Sequence, residues 1–118
     1  MPFEIPQQEP VIKTRFAEFA DAMLRGCAVT KPCRHALVNC AGETCAMGAM
    51  LVGFGNDPKF VFHAWQDGGI EHIWASLPPG QGDMVLAYEE KYGQNIPFDN
   101  DSGEFTREQI AARIAALR

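Results

Sequence analysis

The chain has 118 residues and a mass of 13.0 kDa, with 47% hydrophobic and 21% charged residues and a formal net charge of −5. This length is that of one globular domain, and the apolar content excludes wholesale disorder. The acidic balance argues against a nucleic-acid-binding face, which depends on Lys and Arg to neutralise phosphates, and no stretch has the roughly 18 apolar residues of a membrane span.

The amino-terminal residues differ in character from the rest of the chain. Residues 1–10 contain Pro2, Pro6 and Pro10 and show no helical period, so we expect an extended arm over 1–12 and a single globular domain over 13–118. A basic segment followed by an apolar stretch, as in a secretory signal, is absent. We therefore expect a cytoplasmic protein whose four cysteines stay reduced.

A helix and a small hairpin are predicted next. Apolar residues recur at spacings of three and four from Phe16 to Cys27, which predicts an amphipathic helix over 14–26 that ends at Gly26. Pro32 breaks any helix that would run through this segment. Residues 34–39 and 43–45 flank a turn at Gly42 and predict a short β-hairpin.

The stretch 45–54 has no polar residue and predicts a buried helix at the centre of the molecule. Thr44 is its expected N-cap. Gly48 and Gly53 are expected to allow close approach of a neighbouring helix. We expect helices over 14–26, 84–92 and 106–117 to enclose it.

The next segment has two competing interpretations. Asp57-Pro58 is a helix start signal, which predicts one short helix ending at Gly68-Gly69 and a second over 70–77. A hairpin turning at Asp67-Gly68 competes, because Phe, Val and Trp favour strands. We favour the two helices.

The last third of the chain has clear capping signals. Asp83 and Gly93 predict a helix over 84–92, and residues 95–103 have the polar composition of a loop. Thr106 and Gln109 form a capping box that starts the last helix. The chain as a whole is predicted to be mainly α, a compact domain of four to six helices with one small β-hairpin.

The cysteines allow two chemical hypotheses. Cys33, His35, Cys40 and Cys45 are candidate zinc ligands that would clamp the small hairpin, although only Cys40 and Cys45 have the short spacing typical of such sites. Alternatively, Cys45 at a helix start is a candidate nucleophile, with a histidine as base. We favour buried thiols, no cofactor and no catalytic residue over an enzyme.

Two further clusters of residues are candidates for binding surfaces. His63, Trp65, His72 and Trp74 are spaced as a pair of similar tripeptides and are candidate binding residues, but two tryptophans also anchor small cores, which we favour. Lys31 and Arg34, with His35 beside them, form the one local concentration of basic residues and predict a small basic patch.

Two separated blocks carry a resemblance to a known set of proteins. The blocks are 45–50, Cys-Ala-Met-Gly-Ala-Met, and 100–111, which joins an Asn-Asp turn to Thr-Arg-Glu-Gln-Ile-Ala. Residues 13–118 thereby resemble a loosely defined group of small uncharacterised bacterial and phage proteins. Their pattern is a Cys-Ala-Leu-Gly-Ala type helix followed by an Asn-Asp turn and a Thr-Arg-Glu-x-Ile-Ala helix. The resemblance implies an architecture and no activity.

These observations lead to one expected function and two alternatives. We expect a small intracellular, non-catalytic accessory protein, associated with a phage or mobile element, that acts through contacts with a protein partner and not with nucleic acid or membrane. The first alternative is a small structural zinc module. The second is a thiol-dependent enzyme on Cys45.

Overall fold

The computed structural model describes the backbone of residues 4–117 and the side chains of residues 16–117. Seven helices make up this part of the chain, which confirms the mainly α prediction but exceeds the expected four to six. They are α1 Glu4–Val29, α2 Ala46–Gly53, α3 Pro58–Asp67, α4 Ile70–Ala75, α5 Gln81–Tyr92, α6 Ile96–Ser102 and α7 Arg107–Ala115.

Helix α1 is longer than predicted at both ends. It begins at Glu4, so the extended conformation expected for 1–12 is wrong from residue 4 onward, and residues 1–3 lie outside the described part. Pro6 falls in the first turn, where a backbone N–H has no acceptor within the helix, so proline is tolerated there. Gly26 does not end the helix, which continues to Val29. Gly26 instead packs against Ala49 of α2.

The contact between α1 and α2 is the closest in the fold. A Cβ on Gly26 would lie 1.7 Å from the Ala49 carbonyl oxygen, and one on Gly53 would lie 1.6 Å from the Ala22 carbonyl oxygen. Small residues four positions apart on both helices therefore let the two backbones touch. The role predicted for Gly53 is confirmed, whereas a Cβ on Gly48 would overlap the carbonyl oxygen of Leu37, which belongs to a loop and not to a helix.

The predicted hairpin over 34–39 and 43–45 is wrong, since the described residues contain no strand. Two isolated bridges join Thr44 to Pro32 and to Val38. The turn itself exists: the Asn39 N–H donates to Glu43 O at 3.0 Å, and the Asn39 side chain accepts from the Glu43 N–H at 3.0 Å. The left-handed backbone of His35, with φ 65°, interrupts the extended conformation that a strand needs.

Helices α3 and α4 confirm the helical interpretation of residues 58–75 over the hairpin. Asp57 caps α3 by accepting from the Lys59 N–H at 2.8 Å, and Gly68 ends it with φ 84°. The N-cap of α2 is Cys45 and not Thr44, and α5 begins at Gln81, so Asp83 lies in its first turn.

Residues 95–103 form a helix, so the predicted polar loop is wrong. Asn95 caps α6 by accepting from the Phe98 N–H at 2.8 Å, Pro97 lies in the first turn, and Gly103 ends the helix with φ 80°. The polar composition misled the prediction because Asp99 and Asn100 are buried and bonded to other parts of the fold.

The helices share one core. Helix α2 packs on α1 and α7, as predicted, and also on α3 and α6. Helix α5 packs chiefly on α6 and α7, so the predicted place of residues 84–92 against α2 is wrong. The capping box of α7 is confirmed. Among the described helices, none combines the length and apolar character that crossing a bilayer requires. The largest fully buried side chains include Phe19, Met23, Met50, Leu51, Met84, Tyr88, Ile96, Ile110 and Ile114.

Candidate functional site

An apolar cleft of about 580 Å³ opens where α3 and α4 face α5 and α6. Its lining comes from five helices, α2 to α6, and from the loop before α2. The apolar members of the lining are Ala36, Leu37, Cys45, Met47, Trp65, Ile70, Trp74, Val85, Ile96 and Pro97. The volume lies within the range of about 300–1,000 Å³ that is usual for ligand pockets.

Both tryptophans of the chain line this cleft. The left-handed turn at Gly68 reverses the chain between α3 and α4, so that Trp65 and Trp74 reach the same cavity. Trp74 is half-buried against the core, but Trp65 remains 39% exposed. The structure therefore places Trp65 at the lip of the cleft, where its ring is available to a ligand.

The two histidines that were grouped with the tryptophans lie elsewhere. His63 and His72 line a separate cavity of about 560 Å³, together with Phe60 and Asp67. Residues two positions apart on a helix point in different directions, which is why His63 and Trp65 separate. The four candidate binding residues thus divide into an aromatic pair and an imidazole pair.

A hydrogen-bonded histidine and aspartate form the polar edge of the cleft. The His35 backbone N–H donates to Asp101 Oδ1 at 2.8 Å, and His35 Nδ1 lies 3.5 Å from Asp101 Oδ2. Burial acts to raise the pKa of Asp101, but the His35 N–H and the Asn100 amide outweigh it, so this pKa lies below its usual value. The carboxylate is therefore held ionised beside an apolar surface.

A side chain near the end of α6 forms hydrogen bonds to both α2 and the loop that carries His35. Asn100 Oδ1 accepts from the Ala46 N–H at 3.0 Å, and Asn100 Nδ2 donates to Cys33 O at 3.1 Å. One side chain therefore fixes the first turn of α2 and the loop that carries His35. The two sequence blocks that carry the resemblance, at 45–50 and 100–111, contact each other directly through this amide.

The four candidate zinc ligands do not converge. Cys33 Sγ donates to the carbonyl oxygens of Ala36 and Glu43 at 3.4 and 3.3 Å, Cys40 is exposed, and His35 faces Asp101. Cys45 Sγ accepts from the Gly48 N–H at 3.4 Å as the N-cap of α2. In the described part of the chain, no three His, Cys, Asp or Glu side chains form a group that could hold a metal ion.

Three of the thiols are held in the protonated form. Burial raises the pKa of both Cys27 and Cys33 to about 11. Burial also raises the pKa of Cys45, and the hydrogen bond from the Gly48 N–H offsets only part of that effect. A thiolate is the reactive species in nucleophilic chemistry, so these three side chains are poor nucleophiles at neutral pH.

The sequence did not indicate several residues of the cleft. Asp101 and Pro97 were missed because α6 was interpreted as a loop, although Asn95 and Pro97 repeat the capping signal that located α3. Met47 and Val85 were assigned to helices, but nothing in the sequence around them indicates that these helices line a cavity. Comparisons with family models, curated proteins and solved structures found no match to this chain.

Proposed function

We propose that this chain is a small, non-catalytic intracellular accessory protein that binds a protein partner, and that the apolar cleft receives apolar side chains of that partner. The observation that carries the proposal is the position of Trp65, a large aromatic side chain left 39% exposed at the lip of an apolar cavity. Aromatic side chains in such positions dominate the energetics of protein interfaces. The resemblance to bacterial and phage proteins supports a role in a phage or mobile element.

The lining of the cleft favours a peptide segment as the occupant. Its floor is apolar, and Gln81 and the His35–Asp101 pair at its edge supply amide, imidazole and carboxylate groups that can bond to a peptide backbone. The formal charge of −5 favours a segment that carries basic residues beside its apolar anchors, since complementary charge speeds association. We therefore expect a short stretch with two or more large apolar residues next to Lys or Arg.

The two thiol-based alternatives receive less support. The candidate zinc ligands point to different partners, and burial raises the pKa of Cys45. Cys45, His35 and Asp101 line the same cleft, but the Cys45 thiol accepts from the Gly48 N–H, and no hydrogen bond among the described side chains joins it to His35. A binding role uses the cleft without requiring any of these groups to ionise.

A selection of short random peptides on the immobilised protein tests the proposal. We expect enriched peptides to carry large apolar residues and a basic residue, and to bind the Trp65→Ala variant about tenfold more weakly or worse, as is usual for an interface aromatic. Phe60→Ala is the matched control, because Phe60 is an exposed aromatic residue on the same helix that lines the other cavity. Equal binding to the Trp65→Ala variant, or no enrichment, would overturn the proposal.

A further inference from the structure

A third concavity, of about 430 Å³, is lined by Pro32, Cys33 and Arg34 of the loop that carries His35. It is formed by that loop, the end of α6 and the start of α7. The side chains that matter are those of Arg34, Asn100, Phe105, Arg107 and Glu108. This arginine concavity, named after Arg34 and Arg107, shares no lining residue with the aromatic cleft, which is the apolar cleft lined by Trp65 and Trp74. Its chemistry is therefore independent of the proposed function.

Arg107 is a buried cation, and no carboxylate among the described side chains forms an ion pair with it. It is only 5% exposed, and its guanidinium donates to Thr30 Oγ1, Thr44 Oγ1 and Thr30 O at 2.8–2.9 Å. The ion pairs of the described side chains involve other residues. Buried charges are normally paired. The carbonyl end of α1 supplies at most a partial negative charge, so a net positive charge remains at Arg107.

Arg107 also retains unused hydrogen-bond donors. Its three hydrogen bonds engage Nη1 and Nη2, and Nε has no acceptor among the described side chains. Arg107 also lines the concavity, so its side chain borders the open volume. A ligand in the concavity therefore lies beside a guanidinium that three hydrogen bonds hold in place and that has N–H groups not used by those bonds.

Arg34 supplies a second cation to the same cavity. Its guanidinium lies against the backbone of Gly103, where an added Cβ would be 2.7 Å from Nη2. It forms no ion pair within 4.0 Å among the described residues. The basic cluster seen in the sequence is thus divided, with His35 on the aromatic cleft and Arg34 on this concavity.

We propose that this concavity binds a small organic anion, whose carboxylate or phosphate oxygens lie between the guanidinium groups of Arg34 and Arg107. A planar guanidinium matches both kinds of oxyanion and binds them with two parallel hydrogen bonds. Two arginines and one carboxylate, Glu108, line the cavity, and Asp101 lies outside the lining but near enough to Arg34 to interact with its charge. The small positive excess suits a ligand with a single anionic group. The volume exceeds that of a bare phosphate, and Phe105 provides an apolar surface for the rest of the ligand.

Titrations at low ionic strength, followed by amide NMR, test this site. The probes are inorganic phosphate and acetate, which represent the two oxyanions, and the stronger binder identifies the preferred group. We expect saturable shifts in residues 33–34 and 103–108, an affinity about tenfold lower in Arg34→Gln, and a smaller loss in Arg34→Lys, which keeps the charge without the fork.

Arg25→Gln is the matched control, because Arg25 is an exposed arginine on α1 that donates to Gly53 O. It removes the same charge from a different surface and is expected to leave the affinity unchanged. The site would be refuted by shifts that do not saturate with either probe, or by equal losses in the Arg34→Gln and Arg25→Gln variants. Circular dichroism of each variant verifies that the helices are intact.

Discussion

Several side chains of this protein have structural roles that their residue types do not predict. Asn100 looks like a turn residue in the sequence, yet it is buried and bonds the first turn of α2 to the loop at Cys33. Thr44 was expected to cap α2, but its hydroxyl accepts from buried Arg107 while Cys45 takes the cap. Such roles depend on residues far away in sequence, so no local pattern could have predicted them.

The Asp101 carboxylate is expected to stabilise the fold in a pH-dependent way. Because its pKa is lower in the folded chain than its usual value, its contribution is present above the ordinary carboxyl pKa of about 4. It is lost as the pH falls from there through the lowered pKa. Asp101→Asn keeps an oxygen to accept from the His35 N–H but removes the charge.

Urea unfolding of both proteins between acidic and neutral pH measures this effect. We expect the wild type to be more stable than Asp101→Asn near neutral pH, by at most about 1 kcal/mol because the pair is partly exposed. The difference should vanish in strong acid. A difference that is independent of pH, or that grows on acidification, would show that the folded chain does not favour the ionised form.

The four thiols are expected to differ in reactivity. Cys40 is exposed, whereas burial raises the pKa of Cys27, Cys33 and Cys45. For a pKa near 11, about one thiol in a thousand is ionised at pH 8. Modification of the native protein with a disulfide reagent should therefore show one fast thiol, which Cys40→Ala removes. Fast modification of Cys45 would contradict its burial and revive the thiol-enzyme alternative.

At the scale of elements, the predictions succeeded where capping and periodicity agree. Helices α3 and α7 begin at the expected caps, because Asp57-Pro58 and the Thr106–Gln109 box act within one turn of the chain. The hairpin failed because a strand requires a partner in register, and Thr44 is shared between two short bridges. Helix α6 was missed because its polar residues satisfy distant groups, which composition cannot reveal.

The α1–α2 contact predicts opposite effects for two Gly→Ala substitutions in helices. A Cβ at Gly53 would overlap the Ala22 carbonyl oxygen, whereas a Cβ at Gly82 in α5 would meet nothing within 4 Å. We expect Gly53→Ala to destabilise the fold by about 2–3 kcal/mol through overpacking. Gly82→Ala should stabilise it by about 0.5–1 kcal/mol, because alanine is the better helix former.

Denaturant midpoints of the two variants provide the comparison. Since both substitutions add the same methyl group to a helix, their opposite signs isolate the packing effect from helix propensity. A Gly53→Ala variant as stable as the Gly82→Ala variant would mean that α1 and α2 do not pack backbone to backbone.

At the scale of the whole molecule, the described helices surround one core, and two of the cavities between them, the aromatic cleft and the arginine concavity, differ in character. The helical class and the central position of the stretch 45–54 could be predicted, because a long apolar run must be buried. The aromatic cleft could not be predicted, because its lining residues are scattered between positions 35 and 101. They form one cavity only through the placement of α3 and α4 against α5 and α6. The same holds for Arg34 and Arg107, which are 73 positions apart and line one cavity.

The separation of these surfaces makes the account testable in parts. Residues 32–34 of one loop line the arginine concavity and residues 35–37 line the aromatic cleft, and Asn100 and Asp101 bond this loop to α6. A variant in one surface should leave the other unaffected, provided that this loop stays bonded to α6. The Trp65→Ala and Arg34→Gln variants therefore serve as controls for each other.

The most direct test of the binding role uses the two indole N–H resonances of Trp65 and Trp74, the only tryptophans in the chain. A peptide enriched by selection is added to the labelled protein, and Trp65→Ala identifies which resonance is which. We predict that both indole signals shift in a saturable manner with the same affinity, together with backbone signals of Leu37, Met47 and Val85. Binding that leaves both indole signals in place while it moves residues outside the cleft would contradict the account.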